Sequence, residues 1–279
     1  MFKKIAIIGL GLLGASFALA VRKQYKKTRI IGIGRDKKKI AEAVRLGIVH
    51  EVSDSRTKGI AGADLIVLAP PAASVLPLLA EIAPHLKHGM LVTDFASTKH
   101  VIVSGASKLN LNGAVFVGCH PIAGGEKTGF QHARADLFRG KTVVITPDAT
   151  TPAEPLEELT ALWHELKAVI VQMNAQEHDS ALAMTSHLVH LASAGLAGTV
   201  SRQERLAALT GNGFLDTTRI AKGDEVIWTD IVKTNRSDIL SALKRYRTEM
   251  KHIERLIARR KYDALADYLK HVKEYRMSI

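Results

Sequence analysis

Through the first 170 or so positions, apolar residues come in short runs rich in β-branched side chains. Lys4–Ile8, Arg29–Ile33, Asp64–Ala69, Met90–Asp94, Val115–His120 and Thr142–Thr146 are continuous enough to be strands buried on both faces. Between them, Ala15–Arg22, Asp36–Leu46, Ser74–Ala83 and Pro155–Lys167 space their apolar positions at helical intervals. Val169-Ile170-Val171 supplies a last strand. Strand and helix in alternation predict a doubly wound parallel sheet. From Ala175 onward the strand pattern disappears and helices remain, over Ala175–Thr199, Ser237–Arg259 and Tyr262–Glu274. The chain therefore divides into an N-terminal α/β domain, residues 1–171, and a C-terminal all-helical domain, residues 172–279.

The glycines give the first domain a chemistry. Gly9-Leu10-Gly11-Leu12-Leu13-Gly14 follows a strand and opens a helix, which is the context a dinucleotide-binding G-x-G-x-x-G needs. Gly9 serves the tight turn, Gly11 the approach of a pyrophosphate, and Gly14 close packing of helix on strand. Ala69 and Pro70, closing the Asp64–Ala69 strand, are read as further cofactor contacts. An NAD site places an acid about 20 residues past the glycines, on the ribose hydroxyls. Gly34 stands there instead, followed by Arg35, whose guanidinium suits a 2′-phosphate. NADP is therefore the expected cofactor, while Asp36, one step later, keeps NAD open.

Charge and cysteine content narrow the partners. The net charge of +12 accompanies only 5% aromatic residues, too few for a base-stacking surface, and no nucleic-acid motif is present. Such a field steers anionic small molecules toward a protein. No apolar run reaches the length of a membrane span, and Met1-Phe2-Lys3-Lys4 leads into a strand without a signal-peptide pattern. One cysteine, Cys119, excludes a disulfide framework, and the expected compartment is the cytoplasm.

Candidate catalytic residues gather at strand ends. The Val115–His120 run ends on an imidazole and is stopped by Pro121, which places His120 at the carboxyl edge of the sheet, where open α/β folds bind ligands. An imidazole there is suited to proton transfer near neutral pH. Asp94-Phe95-Ala96-Ser97-Thr98-Lys99 sits at another strand end. In the helix Ala175–Thr199, Asp179, Ser186, His187 and His190 fall within about one quadrant at 100° per residue. They are either satisfied by neighbours or face a wet cleft. As a zinc site they lack a third ligand at suitable spacing. Arg219 is a candidate carboxylate clamp, or else pairs with Asp216 or Asp179. An apolar stripe along the last helices, Leu240, Leu243, Met250, Ile253 and Leu256, predicts packing on another helix, either of this chain or of a second copy in a homodimer.

Taken together, G-L-G-L-L-G at 9–14, D-F-A-S-T-K at 94–99, G-C-H-P-I-A-G-G-E-K-T-G at 118–129, H-D at 178–179, S-H-L-V-H at 186–190 and the loop ending in Arg219 resemble the prephenate/arogenate dehydrogenase family over nearly the whole chain. It departs from the family pattern at Val189, where proline is common, and at Thr217, where an aromatic residue is common. The resemblance implies a Rossmann domain, a helical dimerisation domain and an active site between them. It implies oxidative decarboxylation of prephenate or arogenate with a nicotinamide cofactor and no metal. It also implies His120 as the base on the ring hydroxyl, oriented by Ser97, and Arg219 on a substrate carboxylate. His178, Ser186, His187 and His190 would line the pocket, with Lys99 and Glu126 nearby. Another two-domain hydroxyacid or imine oxidoreductase, or an NADP-sensing regulator, shares the glycine loop. Neither accounts for the ordered polar positions.

Overall fold

The computed structural model describes residues 2–34, 36–124 and 129–279. Among these residues eight strands, β1 (Lys4–Ile8), β2 (Arg29–Ile33), β3 (Glu51–Ser53), β4 (Leu65–Leu68), β5 (Leu91–Asp94), β6 (Val115–Pro121), β7 (Thr142–Thr146) and β8 (Val169–Gln172), form one sheet. Their order is β3-β2-β1-β4-β5-β6-β7-β8. The chain winds outward from β1 toward β3, then crosses over and winds the other way from β4. The switch lies between β1 and β4, and it opens a crevice at their carboxyl ends.

Period-two alternation splits the strand residues between two cores. Ile5, Ile7, Ile30, Val67, Val117 and Ile145 face α1 (Leu12–Gln24) and, beyond α2 (Lys37–Arg45), α3 (Arg56–Ile60), α4 (Ala72–Ile82) and α5 (His100–Ala106), α6 (Ala153–Glu165). Phe17, Phe95, Phe138 and Trp163 interlock on that side, with ring centroids of Phe17, Phe95 and Phe138 lying 5.1–5.5 Å from Trp163. Ala6, Ile8, Ile31, Ile33, Ile66 and Val92 face the opposite way, onto Val75, Leu79, Ile82 and Ile102 of α4 and α5.

Three departures from the sequence pattern have physical causes. The sheet is parallel except where β7 runs antiparallel to β6. A parallel return needs a crossover helix, and between β6 and β7 the described residues form only the short turn Phe130–His132. Second, β6 does not stop at His120: Pro121 pairs with Val143. A proline lacks the donor but keeps its carbonyl, and an antiparallel ladder tolerates that at its end. Third, β3 and α3 were too short to leave a periodic signal.

The helical domain is built from α7 (Ala175–Leu182), α8 (Leu188–Ser201), α9 (Asn212–Thr218), α10 (Glu225–Thr234), α11 (Arg236–Ala258) and α12 (Tyr262–Met277). The single helix expected over Ala175–Thr199 is broken by a π-helical turn at Ala183–His187, which rotates α8 relative to α7. Its core is small, centred on Ala183, Leu188, Ile231, Ile239 and Ala242. Leu196, Leu215, Leu240, Met250, Ile257 and Leu269 remain exposed in the single chain. No helix among the described residues is long and apolar enough to cross a membrane.

Candidate active site

A cavity of about 690 Å³ lies between the two domains, over the switch point of the sheet. Gly11, Leu12 and Leu13 form one side, with Ala69 and Pro70 beside them. The loop after β5 adds Phe95, Ala96 and Ser97, and β6 adds His120. The helical domain closes the cavity with Ser186 and His187 from the π turn, and Ile227, Trp228 and Asp230 from α10.

The glycine end has the shape of a phosphate cradle. Gly9 has φ +102°, and a Cβ there would meet the Ala69 carbonyl at 2.8 Å. A Cβ on Gly14 would meet the Gly9 oxygen at 2.3 Å, so α1 packs against the turn as only glycine allows. Gly11, at the N-cap of α1, faces open space, and among the described residues no side chain caps that helix. Its free N–H groups are thus available to an anion, and these residues fit a dinucleotide. Gly9, Leu10 and Gly14 shape the turn from behind and do not line the cavity. A Cβ on Gly34 would press on Ile40 Cγ2 at 2.6 Å, so packing resists an acid at that position. Asp36 is exposed, and its Oδ1 accepts from Lys38 N at 3.1 Å. Arg35 lies outside the described residues.

At the other end the buried polar residues fall into three groups. His120 Nδ1 lies 2.8 Å from His178 Nε2, and His178 Nδ1 lies 2.7 Å from Asp179 Oδ1. Burial, reinforced by the nearby His178, Lys99 and His187, holds the His120 pKa well below its ordinary 6.5. It is therefore a neutral imidazole at physiological pH. In the second group, Asn235 Nδ2 donates to Asp179 O at 2.8 Å and sits 3.2 Å from His187 Nδ1. The amide nitrogen has only donors, so His187 Nδ1 is an acceptor and its proton is on Nε2. Burial lowers the His187 pKa to about 4, against the opposing pull of Asp179. In the third, His190 stacks on Trp228 with centroids 3.5 Å apart and planes 7° from parallel.

The structure thus sorts the expected pocket residues. Ser97, His120, Ser186 and His187 reach the cavity wall. His178 stands directly behind His120, and His190 behind Trp228. Lys99 is near the pocket, as the resemblance implies, but is not on its wall: it is fully buried, its Nζ paired with Asp94. Arg219 is exposed at the start of the turn Arg219–Lys222 and does not reach the wall. Glu126 lies outside the described residues. Among the described residues, no cluster of three or more His, Cys, Asp or Glu is placed to hold a metal ion. Sequence patterns gave no sign of Lys141, a cation on the wall, or of Asn235, one polar residue among several in the run Lys233–Asp238 at a helix junction.

A doubly wound sheet with a glycine cradle, a helical second domain and an imidazole facing the cleft define an NAD(P)-dependent dehydrogenase. Residues 17–172 match the family model "Prephenate dehydrogenase, nucleotide-binding domain" and residues 174–271 match "Prephenate dehydrogenase, dimerization domain". The chain belongs to the prephenate dehydrogenase family. It is 33% identical to the prephenate dehydrogenase of Bacillus subtilis over 98% of this chain and 75% of that one. It is 32% identical to the cyclohexadienyl dehydrogenase of Zymomonas mobilis, covering 100% of this chain and 97% of that protein. The crystal structure of A. aeolicus prephenate dehydrogenase with hydroxyphenyl propionate and NAD+ superposes with a TM-score of 0.94 at 32% identity, over 100% of this chain and 99% of that one. Arogenate dehydrogenase of Synechocystis gives 0.85 at 30% identity over 98% of each chain.

Proposed function

We propose that the protein oxidatively decarboxylates prephenate or arogenate with NADP as preferred cofactor, working as a homodimer. The observation that carries the chemistry is the neutral, buried imidazole of His120 on the cavity wall, opposite the glycine cradle. Oxidising the ring carbinol requires the hydroxyl proton to leave as the carbonyl forms, and His120 accepts it. Ser97, on the adjoining loop, orients the hydroxyl. The chemistry supplied by a bound nicotinamide is acceptance of a hydride from that carbinol carbon. The ketone is then conjugated toward the carbon bearing the ring carboxylate, and carbon dioxide leaves as the ring aromatises. His187, neutral with its proton on Nε2, donates a hydrogen bond to an anionic substrate, and Lys141 adds a positive charge to the wall.

For the cofactor, the crowding at Gly34 and the turn that engages Asp36 support a site without a ribose-reading acid, which favours a 2′-phosphate. The related A. aeolicus protein is seen with NAD+, so both cofactors belong in the test. For the assembly, the exposed leucines and methionine of the helical domain support its pairing with a second copy, in keeping with the match to a dimerization domain. Because β8 runs to Gln172, which still pairs with Ile145, we place the boundary between cofactor domain and helical domain just after it, at residues 172 and 173, one residue beyond the 171/172 division expected from sequence.

Initial rates with prephenate and arogenate, each against NAD and NADP, test the reading. His120→Asn should lower kcat about 10²–10⁴-fold with cofactor affinity unchanged. Absence of turnover with all four pairs refutes the assignment, and full activity in His120→Asn removes that residue from the mechanism.

A further inference from the structure

His120 comes from the sheet domain, but the atoms behind it come from the helical domain. Asp179 lies on α7 and is held on three sides. Its Oδ1 accepts from Lys99 N at 2.7 Å and its Oδ2 from His100 N at 2.9 Å, so it caps the start of α5 in the other domain. That carboxylate also faces His178 Nδ1 at 2.7 Å. A carboxylate only accepts, so the proton of a neutral His178 is on Nδ1 and its Nε2 is a bare lone pair. The bare Nε2 lies 2.8 Å from His120 Nδ1. Two facing lone pairs would repel, so His120 carries its proton on Nδ1 and leaves Nε2 unprotonated.

We propose that His178 and Asp179 are positioning residues that fix the tautomer of His120, so that docking of the helical domain presents its Nε2 lone pair to the cavity. The inference rests on His120 being the base of the reaction proposed above. When Nε2 takes the substrate proton, the imidazolium keeps donating through Nδ1 to His178, whose far side faces the Asp179 carboxylate. The new positive charge is then met inside the protein, since His120, His178 and Asp179 are 8%, 0% and 1% exposed. The logic is that of an acid orienting a catalytic imidazole, with a second imidazole interposed between them.

Imidazole ¹⁵N spectra of the unmodified protein at neutral pH, assigned with His120→Asn, read the tautomer directly. We expect a protonated Nδ1 and an unprotonated Nε2 on His120, and the reverse overturns the proposal. In kinetics, His178→Phe keeps the ring volume but removes the acceptor. It should lower kcat about 10²–10³-fold, with KM for substrate and cofactor within about threefold. His178→Gln, whose amide carbonyl accepts from His120 and whose NH₂ faces Asp179, should restore kcat to within about tenfold. In a His120→Asn background, His178→Phe should cost nothing further, because its effect passes through the missing ring. A folded His178→Phe protein with full kcat overturns the relay while leaving His120 as base. Loss of activity that adds fully to that of His120→Asn also overturns it, marking a structural role. If His178→Phe does not fold, His178→Gln and the ¹⁵N spectra decide.

Discussion

Replacing Lys99 by methionine separates two roles for a lysine at a strand end beside the active site. As a substrate ligand it would hold a carboxylate in the cavity, and its loss would raise KM with little effect on folding. The structure instead buries Lys99 completely against Asp94. Asp94 also accepts from Ala96 N at 3.0 Å and from Cys119 N at 3.3 Å. One carboxylate thus ties the loop carrying Ser97 to the strand carrying His120. Burial pushes the Asp94 pKa up, and Lys99 is the main force opposing that. Removing one partner of a buried pair costs about 3–5 kcal/mol, because the other is left charged or must take a proton. At about 2–4 °C per kcal/mol for a chain of this size, the melting temperature should fall on the order of 10 °C. Since the carboxyl without its lysine has a folded pKa raised further above 3.8, the folded variant binds the extra proton. Its deficit should therefore narrow as pH falls toward 4. Calorimetry across pH, alongside steady-state kinetics, measures both outcomes. A Lys99→Met protein with unchanged melting temperature and raised substrate KM refutes the reasoning and returns Lys99 to the substrate.

The lowered pKa of His120 predicts that kcat/KM holds as pH drops through 6.5 and falls only below it, as the base takes up a proton; an acid limb at or above 6.5 contradicts the burial argument. His187 has the same sign in stability: its folded pKa of about 4 lies below the ordinary 6.5, so the protein is most stable above 6.5 and loses stability as pH falls toward 4. Thermal melts across that range check it. Gly11→Ala should leave the melting temperature of the cofactor-free protein unchanged, because its Cβ meets nothing within 4 Å, yet weaken nicotinamide binding by tenfold or more by filling the phosphate cradle. Calorimetric titration with NADP and NAD reads the affinity, and an unchanged Kd would move the pyrophosphate away from Gly11.

The residues themselves determined the part of this protein that local pattern encodes. Buried strands show as runs of Ile, Val and Leu, a phosphate turn as glycines between strand and helix, and strand ends as the places where Ser97 and His120 interrupt apolar runs. These signals are short-range, and so the fold class, the cofactor cradle and the candidate base are legible in local sequence alone. Tertiary structure decided what depends on distant neighbours. The direction of β7 follows from a connection whose described residues hold no crossover helix. The family resemblance set Lys99 beside the substrate, but its side chain turns inward to a carboxylate five residues earlier. His178 and Asp179 stand out in sequence as a family-like H-D pair, with Asp179 on a polar stripe, but neither signal says what their side chains touch. They meet His120, Lys99 and His100 only because α7 packs over the ends of β6 and α5, a contact spanning 58 to 80 residues of chain that no local periodicity records.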